Sequence, residues 1–374
     1  MSKPRVLLTN FHPGDGGGHT TYLQRLLAAG LQEQFEVAVA APENSRILRW
    51  VRQAGHRAYA CDFPGGILEG PAIFRAIRRL SQIYQEFPFA ILHSNGSRDQ
   101  TLAGWWLRIT NAPPRLVRTH HAIRQVHDDC YHRWLHHRQT ASHIYVAHAQ
   151  ANINEAGKAL RCPNSHVIAN GVDLQAFAPT PKSELLLQEL EIAPGQLVFG
   201  SVGGTAPHKR VDVMLRALAL VPARERAVII ALGGESGGRQ LCELAHELKV
   251  ATQFRFVGHQ ADVRPYVSLF DVGFLLSDRE SSPFSAREMM AMGAPLLCSG
   301  FAGMIELVEE GVSGYITRVG DCREVARRVE EFLTMPAPHL KTFQTAARAK
   351  AIRSFNQQEM VRKTCAVYTQ VLSE

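Results

Sequence analysis

Twice along this chain a short apolar run ends in glycines and opens at once into an amphipathic helix. In the first half, residues 6–9 read as a strand and Gly14-Asp15-Gly16-Gly17-Gly18 as the turn. Tyr22, Leu23, Leu26, Leu27 and Leu31 then line one side of the following helix. In the second half, residues 197–202 form the apolar run, Gly203-Gly204 turn the chain, and Val211, Met214, Leu215 and Leu218 recur at helical spacing. Strand, tight turn and helix, repeated in that order, leave few folds open, because parallel strands need crossover helices. Apolar runs at 35–40, 89–93, 116–119 and 144–147 continue the first series, with a basic helix pattern at 71–87; runs at 227–232, 253–257, 271–276 and 295–298 continue the second. The predicted fold class is α/β: two doubly wound Rossmann-like domains facing across a cleft.

Length agrees, since 374 residues exceed one ordinary core and fit two domains of roughly 170 to 190 residues. The proline-marked stretch Pro179-Thr180-Pro181-Lys182-Ser183 places the division, giving domains at 1–178 and 195–352 with a linker at 179–194. The tail, 353–374, has helical periodicity and no place in the second sheet. A content of 45% hydrophobic and 20% charged residues is that of a globular chain and excludes the disordered class. No apolar run approaches the roughly 20 residues that span a bilayer, and no signal-peptide pattern opens the sequence. Seven scattered cysteines without CxxC spacing argue against a disulfide framework or a zinc site, so a reducing cytoplasm is the expected compartment.

Charge is unevenly placed. Residues 1–180 carry 19 Lys+Arg against 12 Asp+Glu, a balance of +7, whereas the remainder carries 22 against 22. Thirteen of the 17 histidines also lie in that basic half. An anionic partner is expected there, either a phosphorylated glycan or an anionic membrane surface. No RNP, zinc-finger or helix-turn-helix pattern accompanies the charge, so nucleic acid is not the expected partner.

Several motifs sit at the carboxyl ends of predicted strands, where open α/β sheets bind ligands. Gly14 to Gly18 and the adjoining helix start suit an anion, although a tight turn without ligand reads equally from these residues. His19 follows directly. Thr119-His120-His121 closes another strand and offers an imidazole as hydrogen-bonding or acid/base group. His208-Lys209-Arg210 opens a helix, either to face an anion or as solvated cations. Asn170-Gly171 reads as a tight turn. Tyr131-His132-Arg133-Trp134-Leu135-His136-His137-Arg138 interleaves aromatic and basic residues, fitting an anionic interface or a solvated helix with Trp134 and Leu135 inside. Glu280 lies in a loop after a strand and Glu288 near the start of the next helix, a pair suited to sugar or ribose hydroxyls.

Taken as an ordered series, these segments resemble the GT-B glycosyltransferases of the retaining GT4 family. The matches are Gly17-Gly18, Thr119-x-His121, Ile168-x-Asn170-Gly171-Val172-Asp173 with Phe177, Val202-Gly203 with Lys209, and Gly233-Gly234-Glu235. Val257-Gly258, Glu280-x7-Glu288, Gly293-x-Pro295, and Gly303 with Glu306 complete it. The resemblance implies a nucleotide-sugar donor (UDP- or GDP-linked) in the second domain and a glycan or glycolipid acceptor in the first. It also implies a C-terminal helix that crosses back onto the first domain. Glu280, His121 and Lys209 would carry catalysis. Gly17, Gly18, Gly203, Gly204, Arg210, Ser282, Pro283, Phe284, Ser285 and Glu288 would bind donor, with Glu288 on the ribose. His19, Arg98 and His120 would lie on the acceptor side. No cofactor and no metal is implied: no two aspartates lie two positions apart, so the Asp-x-Asp clamp is absent.

Departures accompany the matches. Gly204 stands where the family has an arginine, leaving Arg210 and Arg98 as candidates to replace that cation. Ser282, Ser285 and Arg287 occupy positions that are apolar in the family. The leading expectation is a cytoplasmic, membrane-peripheral transferase of cell-surface glycan or lipopolysaccharide synthesis. A scaffold of the same fold with a weakened donor site is the alternative. A nicotinamide-dependent oxidoreductase is disfavoured by the lack of a G-x-G-x-x-G motif with its ribose acid.

Overall fold

A computed structural model of the chain describes residues 2–65, 69–122, 129–149, 151–152 and 164–374. It divides into two compact units, residues 1–171 with 357–374, and residues 172–356.

Unit 1 is built on seven parallel strands: β1 (Arg5–Thr9), β2 (Glu36–Ala41), β3 (Arg57–Ala60), β4 (Ile91–Ser94), β5 (Arg115–His120), β6 (Thr140–Tyr145) and β7 (Ser165–Val167). Their spatial order is β3-β2-β1-β4-β5-β6-β7, with Leu7 paired to both Ala38 and Leu92. The apolar runs are continuous because crossover helices cover the strands. Leu7, Leu92, Leu116, Leu80 and Trp106 meet in one such core. The helix Gly17–Ala28 buries Tyr22, Leu23, Leu26 and Leu27, the stripe expected from spacing. The helix Gln357–Ser373 belongs to this unit and buries Met360, Val361, Val367, Tyr368 and Val371.

Unit 2 has six parallel strands: β8 (Leu197–Ser201), β9 (Ala227–Leu232), β10 (Phe254–Gly258), β11 (Val272–Leu275), β12 (Leu296–Ser299) and β13 (Gly314–Thr317), in the order β10-β9-β8-β11-β12-β13. The two-residue period of a strand sends alternate side chains to two separate cores. Phe199, Ile229 and Phe274 enter one, whereas Val198, Val228, Ile230 and Leu275 enter the other.

Three details differ from expectation. Strands β3 and β13 and the helix Arg46–Gln53 have no counterpart among the predicted elements. The chain leaves unit 1 at Gly171, not at 178, and residues 179–194 belong to unit 2; it re-enters at Gln357, not at 353. Val172 pairs with Asn356 in a parallel bridge at that crossing, which sets both boundaries together. Gly171 is absent from the positive-φ residues. Its lack of a side chain serves close packing instead, since a Cβ there would overlap the backbone of Gln357.

Candidate functional site

In doubly wound sheets the crevice for ligands opens where the strand order reverses. Each unit has one such point, between β1 and β4 in unit 1 and between β8 and β11 in unit 2. The expected residues fall largely on the loops that leave these strands.

In unit 2, β8 runs into Gly203-Gly204 and a short 3-10 turn, Pro207–Lys209, before the helix Val211–Leu220. Gly204 has φ +93°, a left-handed conformation that glycine adopts freely, and the space where a Cβ would stand is open. From the neighbouring strand β11, the loop carrying Glu280 leads to the helix Phe284–Ala291, whose N-cap is Pro283. Lys209 and Glu280 form an ion pair across the switch point, both largely shielded. A backbone bond ties the same loops together, from Asp278 N to the His208 carbonyl at 3.0 Å. The helix Phe284–Ala291 has no side-chain cap, so its first N–H groups, near Ser285, remain available to an anion. Ser282 is buried, and Ser285 and Glu288 are half-buried.

Two further basic residues of this unit have partners of their own. Arg210 adopts φ +55° and pairs with Asp212 at 3.2 Å. Arg287 is buried, donates to the Pro283 carbonyl at 2.9 Å and lies over the Phe355 ring; burial lowers its pKa to about 10. A cavity of about 420 Å³ at the carboxyl ends of β8, β9 and β11 is lined by Thr205, His208, Arg210, Gly237 and Asp278 among others.

In unit 1, the turn after β1 has φ +66° at Gly14, +69° at Gly16 and +48° at Gly17. The helix begun by Gly17 and Gly18 has no side-chain cap. Asn95, the residue after β4, is the hub of the crevice. Its Nδ2 donates to the His19 carbonyl at 2.9 Å, its carbonyl faces His19 Nδ1 at 2.8 Å, and its Oδ1 faces His121 Nε2 at 2.5 Å. These contacts assign a proton to Nδ1 of His19 and to Nε2 of His121, leaving the other ring nitrogens as acceptors. The two rings lie 4.4 Å apart. Burial holds both below the ordinary histidine range, His19 at about 3, so both are neutral at pH 7.

Asp99 fixes Asn95 from beneath, accepting from its backbone N–H at 2.8 Å and from Thr9 Oγ1 at 2.7 Å. Asp99 also stands 3.8 Å from the buried Arg118; burial nonetheless raises the carboxyl to about 6, with Arg118 opposing. Asn95 and Asp99 were not among the predicted residues, although Asn95-Gly96 after an apolar run carries the same positional signal as the other motifs. Arg98 is exposed, with its guanidinium over the Phe11 ring. His120, expected on the acceptor side, points inward instead: it is buried and bonded to His143 at 3.0 Å. Alternation along β5 puts it on the opposite face from Thr119. The run 131–138 forms one helical turn and then a π-helical turn, Trp134–Gln139, with Trp134 half-buried.

Known proteins share the family and the fold. Residues 16–176 match the family described as Glycosyltransferase Family 4, and residues 182–350 match Glycosyl transferases group 1. An N-acetyl-alpha-D-glucosaminyl L-malate synthase of Bacillus anthracis is 23% identical over 62% of this chain and 61% of its own. A D-inositol 3-phosphate glycosyltransferase of Thermobispora bispora is 30% identical over 55% of this chain and 50% of its own. The chain thus spans half to three fifths of the length of these curated relatives. Among solved structures, Anabaena Alr3699/HepE in complex with UDP and glucose superposes with a TM-score of 0.82 at 21% identity, covering 97% of this chain and 99% of that one. Two parallel sheets of this order, a glycine turn and helix start at each switch point, and family matches along both units lead to one placement: the chain belongs to the GT-B glycosyltransferases of group 1, family 4.

Proposed function

We propose that the protein is a retaining glycosyltransferase that moves a hexose-type sugar from UDP- or GDP-sugar to an anionic glycan or glycolipid acceptor. The observation that carries this reading is the Lys209–Glu280 pair at the unit 2 switch point, beside the uncapped helix Phe284–Ala291. A diphosphate leaving group develops negative charge as the sugar departs. Lys209 and the helix N-terminus supply fixed positive potential where that charge appears, the usual major term in such catalysis. Glu280 holds Lys209 in place and receives sugar hydroxyls, while Glu288 receives ribose hydroxyls. These cationic groups take the part of a divalent ion, so the transfer is proposed to need neither metal nor cofactor. The solved Anabaena relative binds UDP, which supports a nucleotide-sugar donor.

Unit 1 is the proposed acceptor side, with the neutral His121 accepting a hydrogen bond from the incoming hydroxyl and His19 beside it. Its basic balance supports an anionic acceptor, and the malate and inositol phosphate in the relatives' names are both anions. We place the activity in lipopolysaccharide or other cell-surface polysaccharide synthesis, on the cytoplasmic side and in peripheral contact with anionic membrane through the basic half. No helix among the described residues is long and apolar enough to cross a membrane. Gly204 favours one second reading, a scaffold with a weakened donor site. Calorimetric titration with UDP and GDP, followed by donor turnover with and without acceptor, decides between them. Nucleotide binding with sugar release supports the transferase; binding without any turnover of UDP- or GDP-sugars overturns it.

A further inference from the structure

Unit 1 holds a second cluster of chemically capable side chains, on the inward face of the sheet, that the transfer reaction does not use. His120 at the end of β5, His143 within β6 and His136 from the π-helical turn Trp134–Gln139 are all buried. One ring nitrogen of each lies within 4.8 Å of the others. We propose that these three imidazoles form a structural binding site for one borderline transition-metal ion, Zn²⁺ being the best fit, with the remaining position open to water.

The geometry is close to what such an ion needs. His120 Nε2 and His143 Nδ1 are 3.0 Å apart. Two ligands of a tetrahedral zinc ion, at Zn–N distances of about 2.0–2.1 Å, are separated by roughly 3.3 Å. That pair needs to part by only a few tenths of an ångström, and His136 then closes the set by a shift of its turn. The ring of His143 is already oriented as a ligand. Its Nε2 donates to the His136 carbonyl at 3.0 Å, which leaves the Nδ1 lone pair facing His120. Such a backbone partner on the far nitrogen is the usual support of a metal-binding histidine. The proton that His120 Nε2 now shares with His143 moves to His120 Nδ1 on binding, so no net charge is displaced.

Further features favour an ion over a merely hydrogen-bonded stack. The Gln100 amide N–H donates to His136 Nδ1 at 3.2 Å and to Thr140 Oγ1 at 3.1 Å, which holds the third ring from a different helix and marks Nδ1 as its unprotonated nitrogen. The turn that delivers His136 is π-helical, a conformation that is rare and concentrated at functional positions. Among the described residues the buried cation Arg118 acts on all three rings, and Asp99, 3.8 Å from it, opposes its charge in part. A ligand set of imidazoles alone suits zinc or a similar borderline ion and does not suit magnesium or calcium. The ion would pin the turn to β5 and β6. It would not touch the transferred sugar, so this site stands or falls independently of the proposed reaction.

The test uses the full-length, tag-free protein stripped with EDTA and dialysed against Zn²⁺, with metal content read by mass spectrometry. About one Zn²⁺ per chain is expected, with a raised melting temperature and, for the Co²⁺ form, the visible absorption of a four-coordinate nitrogen site. His143→Gln and His136→Gln are each expected to lose the bound ion. The double variant His132→Gln with His137→Gln, on the same stretch of chain, keeps it. Folding of each variant is checked by circular dichroism; if His143→Gln does not fold, His136→Gln decides, and the cobalt spectrum of the unaltered protein stands apart from both. Less than about a tenth of an equivalent of zinc in the unaltered protein, or undiminished zinc in a folded His136→Gln, overturns the site.

Discussion

The two units share a strand order and a switch point, yet they furnish that point with opposite chemistry. In unit 2 the crevice carries formal charge: Lys209 against Glu280, with an uncapped helix start alongside. In unit 1 it carries neutral rings, His19 and His121 clasped by Asn95, and the charged pair Asp99 and Arg118 is sunk below the surface. Topology therefore fixes where ligands bind, while the loop residues fix which ligands. A charged mouth suits a group that gains charge during reaction. A neutral one suits a hydroxyl that must be oriented and relieved of a proton.

Removing charge from unit 2 should break this division most severely. Glu280→Gln leaves Lys209 without its carboxylate partner and, on the proposed reading, replaces one of the two oxygens offered to sugar hydroxyls by an amide N–H donor. Turnover of the nucleotide-sugar is expected to fall on the order of 100-fold or more, the range for loss of one charge-stabilising contact. Measured kcat within a few-fold of the parent enzyme would remove Glu280 from the reaction.

Acid should separate the units next. His93 is fully buried between Tyr368 and Thr119, and burial takes its pKa to about 3. A histidine held below its unfolded value of 6.5 contributes stability that is full above 6.5 and is lost as pH falls towards 3, because the unfolded chain takes up the proton first. Between pH 7 and 5 this loss is about 2 kcal/mol for His93. His19, at about 3, pushes the same way. Asp99 works against them: its raised value of about 6 gives stability that is full below about 4 and lost as pH rises through 6, so acidification returns about 1 kcal/mol. The net expectation for metal-free protein is a loss of about 3 kcal/mol from these three groups, all in unit 1, and the other buried histidines of that unit, His120, His121, His136 and His143, push the same way. Hydrogen exchange at pH 7 and pH 5 reads it unit by unit. Uniform loss across both units would contradict the contrast drawn above.

Asn95→Ala should act on one side only. It frees His121 Nε2 and the His19 carbonyl, leaving Asn95's backbone contact with His19 Nδ1 in place. A fall of roughly 10-fold in kcat/KM for acceptor is expected, with UDP affinity unchanged, since a misplaced base loses orientation and not charge. If UDP binding weakens equally, Asn95 supports the fold and not the acceptor crevice.

How much of this was legible depends on residue spacing. Long apolar runs such as 227–232 announce their strands. Strands of four residues with partly exposed sides, such as Arg57–Ala60 and Gly314–Thr317, offer too few alternations to be read. The Lys209–Glu280 pair joins positions 71 apart, and the histidine cluster draws on two strands and a π-helical turn. Both are products of folding: Lys209, Glu280 and His120 were visible beforehand only as residues following strands, and His136 only as part of the basic run 131–138. His120 shows the complementary failure. Its place at a strand end was readable, but the face it turns towards was not.

Gly204 offers the smallest and most discriminating change. It stands where the family resemblance leads one to expect an arginine, and its backbone disfavours a side chain without excluding one: φ is +93°, yet no atom lies within 4 Å of a Cβ built there. Gly204→Arg therefore meets backbone strain and no steric block. The strain should cost about 1–2 kcal/mol, lowering the melting temperature of unit 2 by a few degrees. In return it adds a cation to the neutral backbone beside Lys209, and UDP should bind a few-fold tighter, as expected for a partly solvated charge contact. If turnover instead rises by tenfold or more, the native loop is a weakened donor site and the scaffold reading gains. If affinity and turnover both stay level, Lys209 and the Phe284–Ala291 helix start already supply the positive potential that unit 2 needs, and the contrast between a charged crevice in unit 2 and a neutral one in unit 1 holds without an arginine at this position.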